Sequence, residues 1–234
     1  MNILAIGSHP DDLECCCFGT LAKYSQRGDK VFVCTISNGN MGHVVHMPEE
    51  LRAIRLKEAK NAAKLINAEH FCVDSGDFYV DSKDRGQTDK LVEVIREAKP
   101  DVIITHNPHD YMQDHIEAGA HAFNASFIAT IPHYLQHIDN TTGVTPLYYM
   151  DTVAGVGFVP TEYVDITDTI ELKLSALACH ESQIKWMLEH DRIDFLDFIR
   201  TCSKYRGIQC GVPYAEGFRQ CMNWPRLTAR RCLP

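Results

Sequence analysis

Two short stretches of this 234-residue sequence concentrate side chains that do chemistry. The first, Ser8-His9-Pro10-Asp11-Asp12-Leu13-Glu14, holds a histidine and three carboxylates within six residues. Asp11, Asp12 and Glu14 repel one another unless a cation neutralises them, so a bound metal resolves the conflict. Catalytic Zn²⁺ commonly takes two imidazole nitrogens and one carboxylate oxygen and leaves a position for water; His9, Asp12 and one distant histidine satisfy that set. The second stretch, His106-Asn107-Pro108-His109-Asp110-Tyr111-Met112-Gln113-Asp114-His115, offers three histidines for the missing ligand. His115 is the best placed, at the start of the next helical segment with Asp114 beside it, whereas His106 is close enough to an apolar run to turn into the core. The plainer account of the first loop is that Asp11 or Asp12 caps the helix that follows. The His-Glu-x-x-His pattern of zinc proteases is absent.

Both stretches follow apolar runs that read as strands. Asn2 to Ser8 is a short apolar run, followed by a helix-length segment from Glu14 to Gln26 that Gly28 closes. The alternation repeats with a strand at Val31 to Ser37, a helix at Pro48 to Ile66, a strand at His70 to Val73, a helix at Lys90 to Ala98 and a strand at Asp101 to Thr105. Asp114 to Ala129 reads as helix, Leu147 to Asp151 and Tyr163 to Ile166 as short strands, and Asp168 to His190 as one long helix opened by an Asp168/Glu171 capping pair. Strands separated by helices imply right-handed crossovers, hence a Rossmann-like α/β fold in one domain spanning 1–234, with a mostly parallel sheet covered on both faces. Ligands in such sheets bind beyond the carboxyl ends of the strands, where both loops would lie.

Composition narrows the field. A net charge of −8 gives no electrostatic reason to bind nucleic acid or an anionic membrane, and Arg226, Arg230 and Arg231 read as a solvated tail. The start, Met1-Asn2-Ile3-Leu4-Ala5-Ile6-Gly7, lacks the basic lead of a signal peptide, which sets the expectation of a cytoplasmic location. The ten cysteines include no Cys-x-x-Cys pair, and reduced, buried thiols are expected; adjacent Cys15, Cys16 and Cys17 point about 100° apart on a helix and read as packing behind the first strand.

The sequence resembles the LmbE-like, PIG-L-type N-acetylglucosaminyl deacetylases, a zinc-dependent family. Its strand-borne (A/S)-H-P-D-D motif stands here as Ser8-His9-Pro10-Asp11-Asp12, and its H-P-D-H motif as the altered Met112-Gln113-Asp114-His115. Arg55-x-x-Glu58 with Ala62-Ala63, Val164-Asp165-Ile166-Thr167, His180-x-Ser182-Gln183 and Tyr214-Ala215-Glu216-Gly217-Phe218 are similar to further family segments, in order along most of the chain. The resemblance implies one zinc ion held by His9, Asp12 and His115, with Asp11 as general base, and an N-acetylated sugar conjugate as the small-molecule substrate. One departure matters: Met112 replaces a family histidine paired with the aspartate, and a thioether can neither donate nor carry a proton. Asp11 then carries the proton itself, or Tyr111 or His109 substitutes, or the chain is a weakly active metal or carbohydrate binder. Asp114 and Tyr111 therefore join Asp11 as candidate catalytic residues.

Arg55 is a candidate contact to sugar hydroxyls or, alternatively, a helix-surface charge paired to Glu58. Asn40 and His43, in the polar loop after the second strand, are further candidates for substrate contact. A dinucleotide-binding protein is the rival from another class, but it would show G-x-G-x-x-G where this chain has Gly7-Ser8-His9-Pro10-Asp11-Asp12, whose aspartates repel a pyrophosphate. A homo-oligomer is compatible with a chain of this type.

Overall fold

Aliphatic runs bounded by polar turns become five parallel strands in the computed structural model, which describes residues 1–138 and 140–234. They are β1 (Asn2–Gly7), β2 (Lys30–Ser37), β3 (Glu69–Ser75), β4 (Val102–Thr105) and β5 (Leu147–Met150). Two more, β6 (Glu162–Asp165) and β7 (Ala215–Gln220), complete one sheet of order β3-β2-β1-β4-β5-β7-β6, with β7 antiparallel to both its neighbours. The helices are α1 (Asp12–Cys16), α2 (Phe18–Gln26), α3 (Pro48–Lys64), α4 (Arg85–Ala98), α5 (Gln113–Ile128), α6 (Ile170–Ala178), α7 (Glu181–Trp186) and α8 (Phe195–Cys210).

Strand alternation divides the core between the two faces of the sheet. Ile3 and Ala5 of β1 share a cluster with Phe18, Leu21, Leu174 and Ile199, while Leu4 and Ile6 share another with Leu91, Ile95, Ala118 and Ala122. Cys15, Cys16 and Cys17 lie in the first cluster, as their small apolar character led us to expect. β1 pairs with β2 on one side and β4 on the other, so strand order reverses between β1 and β4. The crevice such a reversal opens lies beyond the carboxyl ends of those two strands, where both chemistry-bearing loops emerge.

The structure departs from the sequence reading in three places. The first helix breaks at Cys17, because the buried Glu216 carboxylate accepts the Gly19 and Thr20 N–H groups at 2.9 and 2.8 Å and so caps a new start at α2. The same carboxylate pairs with buried Lys173. The long helix Asp168 to His190 is interrupted at Cys179 and His180 and ends in a π-helical turn, Met187–Asp191. Its capping pair does not form: Thr169 occupies the N-cap, Asp168 accepts from Lys23 and Glu171 from Arg200. In the carboxy-terminal segment, Arg226 is not solvated but buried, donating to the carbonyls of Thr145 and Phe123. Among the described residues no helix is long and apolar enough to cross a membrane.

Candidate active site

β1 hands the chain to a loop in which His9, Asp11 and Asp12 are all buried. Asp11 is held at φ 113°, ψ −23°, a region costly for a residue with a Cβ, and such strain gathers at functional sites. The two adjacent aspartates serve different partners. Asp12 Oδ2 accepts the His9 N–H at 2.6 Å, whereas Asp11 Oδ2 lies 3.4 Å from Arg55 Nη2. Asp11 stands at the N-cap of α1 without a side-chain capping bond, so capping does not account for it.

The first turn of α5 brings His115 to the same point. His9 Nδ1 is 3.5 Å and His115 Nε2 is 3.3 Å from the carboxylate of Asp12, and one ligand atom from each of the three residues lies within 4.8 Å of the others. The outer nitrogens are also held. Asp114 Oδ2 is 3.0 Å from His9 Nε2, and Asp110 Oδ1 is 3.0 Å from His115 Nδ1. An imidazole whose far nitrogen is fixed by a carboxylate is oriented as a metal ligand, so two nitrogens and one carboxylate present a donor set that suits a divalent cation. Burial alone would push both imidazoles down, yet Asp114 and Asp12 hold His9 up to about 9, while Asp12 and Asp110 hold His115 up to about 10. Asp11 is pushed up to about 6 by burial, against the pull of Arg55.

His106 is not turned into the apolar core. Its Nε2 accepts the Ser8 N–H at 3.0 Å and its ring stacks on His115 at 4.1 Å between centroids, so it buttresses the cluster. Tyr111 meets His115 edge-on at 5.4 Å and, like Met112, lines the cavity above it. His109 is exposed and outside that cavity, and Asp114 sits behind His9, also bound by the Phe78 N–H, rather than on the cavity wall.

Arg55 is buried, not a surface charge, and it does not pair with Glu58. Its guanidinium donates to the carbonyls of Pro10 and Gly39 at 2.6 and 3.2 Å and so ties the Asp11 loop to the loop after β2. Gly39, at φ +75°, is required there, since a Cβ would fall 2.8 Å from Arg55 side-chain atoms. Glu58 instead accepts from the N–H and hydroxyl of Ser182, and His180 Nε2 lies 3.4 Å from Glu14. Segments far apart in sequence thus meet around one loop. Asn40 and His43 do not line the cavity: Asn40 accepts the Asp77 N–H, and His43 Nδ1 accepts the N–H groups of Val45 and His46. The sequence reading missed Asp110 and Asp77. Asp77 accepts from Ser37 Oγ and the Met41 N–H and lies 3.9 Å from His9 Nε2. Asp110 stood inside the second loop with a signal only in its closeness to His115; Asp77 carried none.

Above these groups opens a cavity of about 320 Å³ whose floor includes His9, Asp11, Asp12, Arg55 and His115. Residues 4–126 match the PIG-L family, described as GlcNAc-PI de-N-acetylase. The diacetylchitobiose deacetylase of Thermococcus kodakarensis is 30% identical, over 93% of this chain and 82% of its own. Among solved structures, the N,N'-diacetylchitobiose deacetylase of Pyrococcus horikoshii superposes with a TM-score of 0.80 at 27% identity, covering 94% of this chain and 83% of that one. GalB, the 4-carboxy-2-hydroxymuconate hydratase from Pseudomonas putida, superposes with a TM-score of 0.83 at 23% identity over 99% of this chain and 100% of that one, a likeness of fold. With more than half of its residues inside the family match and a relative aligned along nearly all of it, this chain belongs to the PIG-L family, as its motifs implied.

Proposed function

We propose that this protein is a zinc-dependent hydrolase that removes the acetyl group from the nitrogen of an N-acetylglucosamine-type sugar conjugate. The observation that carries the reading is the convergence of His9 Nδ1, Asp12 and His115 Nε2 beside buried Asp11 at the floor of one cavity. His9, Asp12 and His115 would hold the ion, with Asp114 and Asp110 orienting the two imidazoles. A divalent ion bound there supplies Lewis acidity, lowering the pKa of water from 15.7 to about 7 and polarising the amide carbonyl. Asp11 takes the proton from the attacking water. Buried beside the ligand Asp12 without being a ligand itself, this carboxylate is placed to hand the proton on to the departing amine. Arg55 fixes the Asp11 loop rather than reaching for sugar hydroxyls, and Met112 supplies no proton.

The deacetylase relatives support an amide substrate. The deciding experiment couples metal analysis of the purified protein to amine release from a panel of N-acetylated sugars and sugar conjugates. Stoichiometric zinc with amine release supports the reading. Bound metal without amine release from any of them would make the chain a non-catalytic binder.

A further inference from the structure

The walls of the catalytic cavity differ in character from its floor. Above the charged groups the lining side chains include Met41, Phe78, Met112, Trp186, Met187 and Phe195, contributed by loops, α7, the π-helical turn and the start of α8. Phe78 and Met41 stand exposed at the mouth, 71% and 46% accessible, and the Trp186 ring is braced by His190 stacked at 4.1 Å. The polar groups that could read sugar hydroxyls are mostly committed. Both Asp77 oxygens accept bonds from the protein, and Arg55 is bound to two carbonyls and to Asp11. Two lining groups differ: Gln183, whose Oε1 is buried without a partner, and the exposed Tyr111, whose hydroxyl makes no hydrogen bond among the described residues. A wall of this kind gives little to a fully hydroxylated disaccharide, whose hydroxyls would lose water without gaining protein partners. It gives much to an apolar group.

We propose that the substrate is an N-acetylated aminosugar carrying an alkyl or aryl aglycone, which packs against the thioether and aromatic wall while the acetamide lies beside Asp11 and the proposed ligands and Gln183 Oε1 accepts from a sugar hydroxyl. The inference rests on the deacetylase reading of the same cavity. Burying part of such an aglycone corresponds to about tenfold or more in kcat/KM over a methyl glycoside, expressed mainly in KM.

The test compares amine release by the zinc-loaded protein from the methyl, hexyl and phenyl glycosides of N-acetylglucosamine, and from N-hexanoylglucosamine. A parallel arm follows binding of hexyl and methyl glucoside, which have no amide, by Trp186 fluorescence in a Trp224→Phe background, Trp224 being 88% exposed. The expected result is faster hydrolysis of the hexyl and phenyl substrates, a fluorescence response to hexyl glucoside at concentrations where methyl glucoside gives none, and a reduced hexyl-to-methyl ratio in Met187→Gln. Equal kcat/KM across the glycosides overturns the inference and leaves the deacetylase reading intact. A preference for the N-hexanoyl group without an aglycone effect overturns it too. No amine release from any substrate sinks the deacetylase reading instead, and the fluorescence arm then decides this inference: hexyl glucoside binding no tighter than methyl refutes it.

Discussion

Replacing Asp114 by Asn tests whether this carboxylate acts through His9 or on the substrate. Its Oδ2 lies 3.0 Å from His9 Nε2 and 2.8 Å from the Phe78 N–H, and an Asn carbonyl can accept both bonds without the charge. A hydrogen bond to a charged group contributes about 1.5 to 3 kcal/mol and a neutral one about 0.5 to 1.5, so the change removes about 1 to 1.5 kcal/mol from the ligand's orientation. That corresponds to about tenfold weaker zinc binding, at the low end of the range for outer-shell partners. Asp110→Asn removes the same support from His115. The two carboxylates hold different imidazoles, so the double variant should lose about a hundredfold, the product of the single effects. The assay is competition for zinc against a chromophoric chelator at fixed pH, with thermal melts to establish folding and turnover measured at saturating zinc. Turnover of Asp114→Asn at saturation should return close to that of the parent. Zinc binding within twofold of the parent in both single variants, or a turnover defect that saturating zinc does not repair, would refute the reasoning.

Asp11→Asn should keep its zinc and lose turnover by about 10²-fold or more as base assistance disappears; loss of the metal would instead make Asp11 a ligand. Met112→His should raise turnover without altering zinc content, with His109→Ala and Tyr111→Phe close to the parent; a large loss in Tyr111→Phe without a gain from Met112→His would end the single-carboxylate scheme. Glu216→Gln leaves the Lys173 ammonium buried without its counter-charge and should destabilise the fold by about 3 to 5 kcal/mol in urea titrations, a loss that Lys173→Met in the same chain largely restores. If the single variant stays within about 1 kcal/mol of the parent, the pair is not what secures the start of α2. Burial depresses His70 to about 4, and both its ring nitrogens are buried without partners, so its neutral form is favoured in the fold. The unfolded chain binds the proton first, so the stability from neutral His70 is complete above about 6.5 and is lost between about 6.5 and 4, to a total of about 2 to 3 kcal/mol. His70→Leu should flatten the stability curve across that window, and parallel curves for parent and variant would contradict the assignment.

The sequence by itself determined the parallel sheet, because alternating apolar runs and amphipathic segments are local signals, and the sheet placed Ser8–Glu14 and His106–His115 at one crevice. It also carried the donor set of the proposed metal site, since His9 and Asp12 lie three residues apart and His115 lies in the first turn of the helix after β4. Segments whose structure depends on distant partners were not legible. β7 has no apolar alternation and is a strand because β5 and β6 flank it; α2 starts where it does because Glu216, 196 residues beyond Thr20, caps it. Tertiary structure alone assigned the hydrogen-bond partners of the polar side chains. The sequence left Arg55 as either a contact to sugar hydroxyls or a partner of Glu58, whereas the fold buried Arg55 against two carbonyls and gave Glu58 to Ser182. Asn40 and His43 share a polar loop, and the fold gives Asn40 Oδ1 to the Asp77 N–H and His43 Nδ1 to the N–H groups of Val45 and His46, outside the lining of the cavity. A buried polar atom takes the partner that desolvation leaves within reach, and which partner that is depends on how separate elements pack, not on neighbours along the chain.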